Sequence, residues 1–173
     1  MDSALARPAA LTALRSDSAP RLESIGRPVR SRNQVWLATT LERLWEEHFW
    51  DVPRVSPVQI RFGARWKNRL GLIRWEPATQ SSLIAVNALF RDPDVPAYLC
   101  EVTIAHEIVH FAHGFGSPLP QRVKDPHADS VIERELEARG LGRQLALADV
   151  WIERHWADLH DRFSRALAFA ELA

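Results

Sequence analysis

The chain has 173 residues, which is long enough for one domain with a real hydrophobic core and too short to predict two. Its 22 basic and 22 acidic residues leave no net charge, so no whole-molecule field attracts nucleic acid or an anionic membrane. Cys100 is the single cysteine, which excludes an internal disulfide and a cysteine-based zinc ribbon and favours a reducing, cytoplasmic compartment.

Residues 1–32 form a segment of distinct composition, rich in Ala, Ser, Pro and Arg, with six arginines against three acidic residues. Such a segment buries too little apolar surface to offset its ordering entropy, so the sequence predicts a mostly disordered tail. An arm that binds nucleic acid or a partner is the alternative. Arg7 and Arg15 interrupt any apolar secretory leader, and no apolar run approaches the roughly 20 residues that span a bilayer. We therefore expect a soluble protein without a membrane partner.

The folded part is predicted to occupy residues 33–173 as one domain. Asn33 is a plausible N-cap, and apolar residues spaced three and four apart after it predict an amphipathic helix that ends before Pro53. Three strand-like runs separated by polar turns then predict a three-stranded antiparallel meander. These runs are Val58–Phe62, Leu70–Trp75 and Ser82–Val86.

A second helix is predicted after the meander, with Asp94 as its cap, Pro96 in its first turn and Gly114 as its stop. A loop over residues 114–126 leads to helices at about 130–139 and 143–172. The fold class is therefore predicted as α+β: an N-terminal helix, the meander, and helices to the C-terminus.

The run His106-Glu107-Ile108-Val109-His110 on this helix carries the clearest chemistry in the sequence. Residues four apart lie on one helix face, so His106 and His110 can direct two imidazoles at one Zn²⁺ ion. Glu107 is rotated by about 100° from His106, which places its carboxylate beside the metal as a general base rather than on it as a ligand. The apolar neighbours predict a buried helix, where unpaired His and Glu side chains would be costly.

A catalytic zinc site usually has three protein ligands, and two residues compete for the third place. His127 follows the 114–126 loop and precedes a helix, so the chain can fold back to the metal. Glu135 lies inside that helix, where a solvent-exposed role is the competing interpretation. His113 lies about 10 Å from His106 along the helix axis, too far to share one ion, so it is expected beside the metal site or in the cleft wall.

From about Trp36 to Gly142 the order of elements resembles the SprT-like zinc metallopeptidase domain, a small zincin-like fold. The resemblance rests on the run from Arg69 to Trp75, on Val86-Asn87, and on the helix with the HExxH motif. Family members place a third histidine after a variable loop, and Pro126-His127 matches that placement, which favours His127 over Glu135. Residues Ala128, Ser130 and Val131 depart from the pattern that usually follows this histidine.

The resemblance implies a zinc metallopeptidase, a hydrolase that acts on a protein or peptide substrate, with Glu107 as the general base. The metal ligands are then His106, His110 and His127, and the cleft lies between the meander and the motif helix. Two other functions stay open: a non-catalytic interaction module stabilised by zinc, and a nucleic-acid-associated protein that acts through its arginine-rich tail.

Overall fold

Residues 31–170 are the part of the chain that the structure, a computed structural model, describes, and they adopt an α+β fold. The prediction of a disordered tail therefore lies outside the described residues except at positions 31 and 32. In chain order the elements are α1 (Gln34–His48), β1 (Val58–Phe62), β2 (Gly71–Glu76), β3 (Ser81–Val86), α2 (Ala97–Ala112), α3 (Val131–Ala138) and α4 (Gly142–Ala170).

Helix α1 begins where its sequence predicts. The Oδ1 atom of Asn33 accepts a hydrogen bond from the backbone N–H of Trp36 at 2.9 Å, which satisfies one of the free donors of the first turn. At the other end, the indole N–H of Trp45 donates to the carbonyl of Val52 at 3.1 Å and fixes the chain as it leaves the helix. The buried face of α1 comprises Leu37, Thr40, Leu41, Leu44 and Trp45.

The three predicted strands form, but the antiparallel meander is wrong. The strand order is β1-β3-β2, and β1 runs parallel to β3, with Val58 opposite Ser82 and Phe62 opposite Val86. Only β2 and β3 form the expected antiparallel pair. The sheet is therefore mixed, with β3 in its centre and β2 at one edge.

The segment over residues 63–70 explains this order, because it carries the chain past the end of β3 before β2 begins. The side-chain amide of Asn87, directly after β3, donates to the carbonyls of Trp66 at 2.7 Å and Arg69 at 2.8 Å. These bonds hold the crossing segment against the end of the central strand. All six residues of β3 are buried, so both faces of the central strand are covered.

Helix α2 is the central element of the fold, and twelve of its sixteen residues are buried. The prediction that Asp94 caps it is wrong, because the N-cap is Pro96 and no side chain accepts a bond from the first turn. Asp94 lies three positions before Ala97, the first helical residue, so its carboxylate cannot serve as the N-cap. The predicted stop is confirmed: Gly114 follows the C-cap with a φ of +83°, which a residue without Cβ adopts readily.

Helix α2 contacts α1, α3, α4 and two strands of the sheet, so little of its surface is left exposed to solvent. Across residues 31–170, no helix combines the length and apolar character needed to cross a bilayer. The position of α2 in the core determines where its polar residues can act. Glu101 faces Arg43 of α1, whereas His106, Glu107 and His110 lie beside β2 and the loop that follows the helix.

Candidate metal centre

His106 and His110 lie one turn apart on α2 and face each other, as the motif spacing predicts. Their ring centroids are 4.8 Å apart and their Nε2 atoms are separated by 3.1 Å. His110 is buried and His106 is half-buried, so α2 holds both rings with little freedom. The two nitrogen atoms therefore point into the same small volume.

His127 reaches this volume from the segment that precedes α3. Its ring centroid lies 5.6 Å from that of His106 and 4.9 Å from that of His110. The backbone N–H of His127 donates to Oδ1 of Asp125 at 2.9 Å, which orders the turn before it. The side-chain nitrogen atoms of the three histidines lie within 4.8 Å of one another, so the structure brings together a cluster that can bind a metal.

The three donors suit zinc in spacing, and the two donors on α2 also suit it in protonation state. Zn–N bonds of about 2.0–2.1 Å in tetrahedral geometry need ligand nitrogen atoms roughly 3.3 Å apart, a spacing that small rotations of these side chains would provide. Burial lowers the pKa of His106 to about 4, and the charge of His127 acts in the same direction. Burial and the neighbouring histidines lower the pKa of His110 to about 4 as well. Both imidazoles are therefore neutral at pH 7, the form that binds a metal.

Glu107 lies beside this cluster, with only 5% of its surface exposed. Burial raises the pKa of its carboxyl to about 8, and the charge of Arg69 opposes the shift. A charged Glu107 is costly at this buried position without a cation nearby. A divalent ion held by the histidines would favour the carboxylate form.

Gly71, the first residue of β2, permits the close approach of the sheet to Glu107. A Cβ atom at this position would lie 2.7 Å from Oε1 of Glu107 and 2.7 Å from Cγ2 of Thr103. Both distances are below ordinary van der Waals contact, so a larger residue would have to displace both side chains. The sequence gives no signal for this requirement, since it depends on how β2 meets α2.

An open cleft of about 820 Å³ runs between β2 and α2. Its walls include the residues Leu72, Ile73 and Arg74 of the edge strand, with Phe115 and Pro126 from the loop region on the other side. His106, Glu107, His110 and His127 all line it. The histidine cluster is therefore open to a ligand as large as a peptide segment.

Glu135, the alternative third ligand, bonds elsewhere. Its Oε2 atom lies 2.5 Å from Nε2 of His113, and its Oε1 atom accepts from Arg139 at 2.8 Å. Arg139 also donates to Oδ1 of Asp51 at 2.6 Å and to the carbonyl of His48 at 2.7 Å. His113 is thus buried against Glu135 and is absent from the residues that line the cleft.

We expect replacement of Arg139 by Met to reduce the free energy of unfolding by about 2 kcal/mol at pH 7, because Glu135 then lacks its charged partner. Burial alone would raise the pKa of Glu135, but hydrogen bonds from Arg139 and His113 outweigh it and hold the pKa below its ordinary 4.5. The stabilisation is therefore complete above about pH 4.5 and is lost as the pH falls further.

Urea denaturation of both proteins at pH 7 and pH 3 measures this effect. The difference between wild type and Arg139→Met is expected to shrink at pH 3, while Arg143→Met, on the exposed side of α4, leaves stability unchanged at both. A difference of the same size at both pH values would contradict the assignment of the effect to these carboxylates.

Comparison with known protein families, with curated proteins and with solved structures finds no match for this chain. The fold and the site together define an α+β protein with a cluster of three histidines able to bind a metal.

Proposed function

We propose that this protein is a zinc-dependent metallopeptidase of the SprT-like kind, with His106, His110 and His127 as metal ligands and Glu107 as the general base. The observation that carries the proposal is the convergence of three imidazoles beside the buried carboxyl group of Glu107 on the wall of an open cleft. The imidazoles, the carboxyl group and the cleft each have a role in peptide hydrolysis.

A zinc ion in this cluster would lower the pKa of a water molecule to about 7 and polarise the carbonyl group of the scissile bond. Glu107 would take the proton from that water as the oxygen of the water attacks the carbonyl carbon. The same carboxyl then delivers the proton to the leaving nitrogen as the C–N bond breaks. Burial raises the proton affinity of Glu107, which suits a group that must hold a proton between the two steps.

The edge position of β2 favours an extended polypeptide as the substrate. Antiparallel pairing with β3 uses one side of this strand, and the cleft lies along the strand next to the histidines. An extended chain can add to a sheet edge through backbone hydrogen bonds, which recognise a polypeptide without regard to its sequence. A protein or peptide placed in this way would pass directly over Glu107.

A purely structural zinc site is the competing function, and the cluster argues against it. Structural zinc sites are closed by four protein ligands, whereas the cluster found in residues 31–170 has three donors, and His127 is exposed. A structural site also has no need for the buried carboxylate of Glu107. The open side of the cluster is where catalysis requires access for water and substrate.

Zinc-dependent hydrolysis of an unfolded protein tests the proposal. Protein stripped of metal by a chelator is expected not to cleave a fluorescein-labelled unfolded polypeptide, and one equivalent of Zn²⁺ is expected to restore cleavage while Mg²⁺ does not, because imidazole donors suit zinc. Cleavage that persists without metal would overturn the mechanism. Binding of one zinc ion with no cleavage of any polypeptide would instead favour the structural function.

A further inference from the structure

A second cavity, which we call the α4 pocket, adjoins the metal centre on the side away from the loop. Its volume is about 310 Å³, and Gly71, His106 and Glu107 line both this pocket and the main cleft. It extends between α2 and α4, and α3 contributes Glu133 to its lining. The pocket and the cleft therefore adjoin each other at these three residues.

The walls of the α4 pocket are apolar. Helix α2 contributes Leu99 and Val102, which are buried, and α4 contributes the buried Ala148 together with partly exposed neighbours. The remaining apolar lining residues are Leu70, Leu145 and Ile152. These walls fit the aliphatic part of a side chain, and the volume is enough for the largest ones.

Thr103 of α2 and two carboxylates, Glu133 of α3 and Asp149 of α4, complete the lining. Both carboxylate residues are exposed, whereas Leu99, Val102 and Ala148 are buried, so the carboxylates lie at the solvent-facing rim. Among the described residues, the lining contains no Lys or Arg side chain to neutralise them. These two carboxylates therefore give the pocket a negative rim around a largely apolar interior.

We propose, on the basis of the peptidase function proposed above, that the α4 pocket receives a Lys or Arg side chain of the substrate adjacent to the scissile bond. The aliphatic stem packs on the apolar walls, and the cationic end reaches Glu133 and Asp149, where it keeps contact with water. A Leu side chain gains only the apolar contact. A Glu side chain is repelled by the rim. The substrate class is thus a polypeptide cleaved next to a basic residue.

Three labelled peptides that differ at one position test this preference: an Ala/Gly nonapeptide with a central Arg, Leu or Glu. Binding is measured by fluorescence anisotropy on zinc-loaded Glu107→Gln protein, which removes turnover, and cleavage is measured on zinc-loaded wild type. Two partly exposed ion pairs predict that the Arg peptide binds roughly three- to tenfold tighter than the Leu peptide, and that its kcat/KM is higher by a similar factor. The Glu peptide is expected to bind most weakly.

The pocket variants are Glu133→Gln and Asp149→Asn, alone and combined. The combined variant is expected to lose the preference for Arg over Leu while it keeps its affinity for the Leu peptide. The matched control combines Glu137→Gln and Glu153→Gln, two exposed carboxylates of the same helices outside the pocket, and is expected to retain the preference.

The two proposals fail in different ways. Tighter binding of the Arg peptide without cleavage would leave the pocket assignment standing and overturn the peptidase function. Cleavage of all three peptides without any preference would overturn the pocket assignment alone. Equal loss of preference in the control variant, or no measurable binding of the Arg peptide, would also overturn it.

Discussion

Glu107→Gln is expected to retain one zinc ion per chain and to lose peptide hydrolysis, with kcat reduced by about 10²- to 10⁴-fold. The amide has the shape of the carboxylate and fits the same buried space against Gly71, but it cannot accept the proton from the attacking water. It also removes a carboxyl group whose burial is unfavourable, so the variant is expected to be at least as stable as wild type. Zinc content, thermal stability and cleavage rate are the measurements.

Glu101→Gln is the matched control, since Glu101 lies on the same helix but bonds Arg43 at 2.7 Å on another face. Its cleavage rate is expected to equal that of wild type. Cleavage by Glu107→Gln at the wild-type rate would show that another group moves the proton. Loss of zinc from Glu107→Gln would place Glu107 among the metal ligands.

His127→Ala is expected to reduce bound zinc from one ion per chain to nearly none at micromolar concentrations, because loss of a direct ligand costs more than the 10- to 100-fold typical of outer hydrogen-bond partners. His127 is exposed, so its removal is expected to change the stability of the metal-free protein little. Metal analysis after gel filtration measures zinc. Thermal denaturation with and without zinc gives a second measure, because ligand at 100 times its Kd stabilises by about 2.7 kcal/mol.

Two further variants identify the third ligand. His155→Ala removes an exposed histidine of α4 outside the cluster and is expected to keep full zinc content. Glu135→Gln is expected to keep it too, because Glu135 bonds His113 and Arg139. Full zinc in His127→Ala combined with loss in Glu135→Gln would transfer the third ligand to Glu135.

The helix that carries the motif could be predicted from the sequence because its determinants are local. The four-residue spacing of His106 and His110 fixes their common face, and the apolar residues around them indicate burial. The glycine after the helix marks its end. Asp94 does not cap the helix because it lies in the turn before it, where its backbone N–H donates to Oδ1 of Asp92 at 2.8 Å; Asp is common in turns as well as in caps.

The sheet order and the third ligand depend on contacts between distant residues, which local patterns do not contain. Alternation of polar and apolar residues reports which side of a strand is buried, but not which strand lies beside it. Glu135 and His127 were both compatible with the sequence. What separates them in space is Arg139, four residues after Glu135, which binds that carboxylate together with His113. The i,i+4 spacing of this pair was visible, but its connection to Asp51 was not.

The contact between Gly71 and Glu107 makes three positions of the sequence depend on one another. A residue with a side chain at 71 is compatible with this fold only if position 103 loses the atom that corresponds to Cγ2 of Thr103 and the side chain at 107 moves as well. Natural variants with a larger residue at 71 should therefore also carry a smaller residue at 103 and a displaced side chain at 107. The same rule gives protein engineers a way to move the carboxyl group of Glu107 from the sheet, without any change at the motif itself.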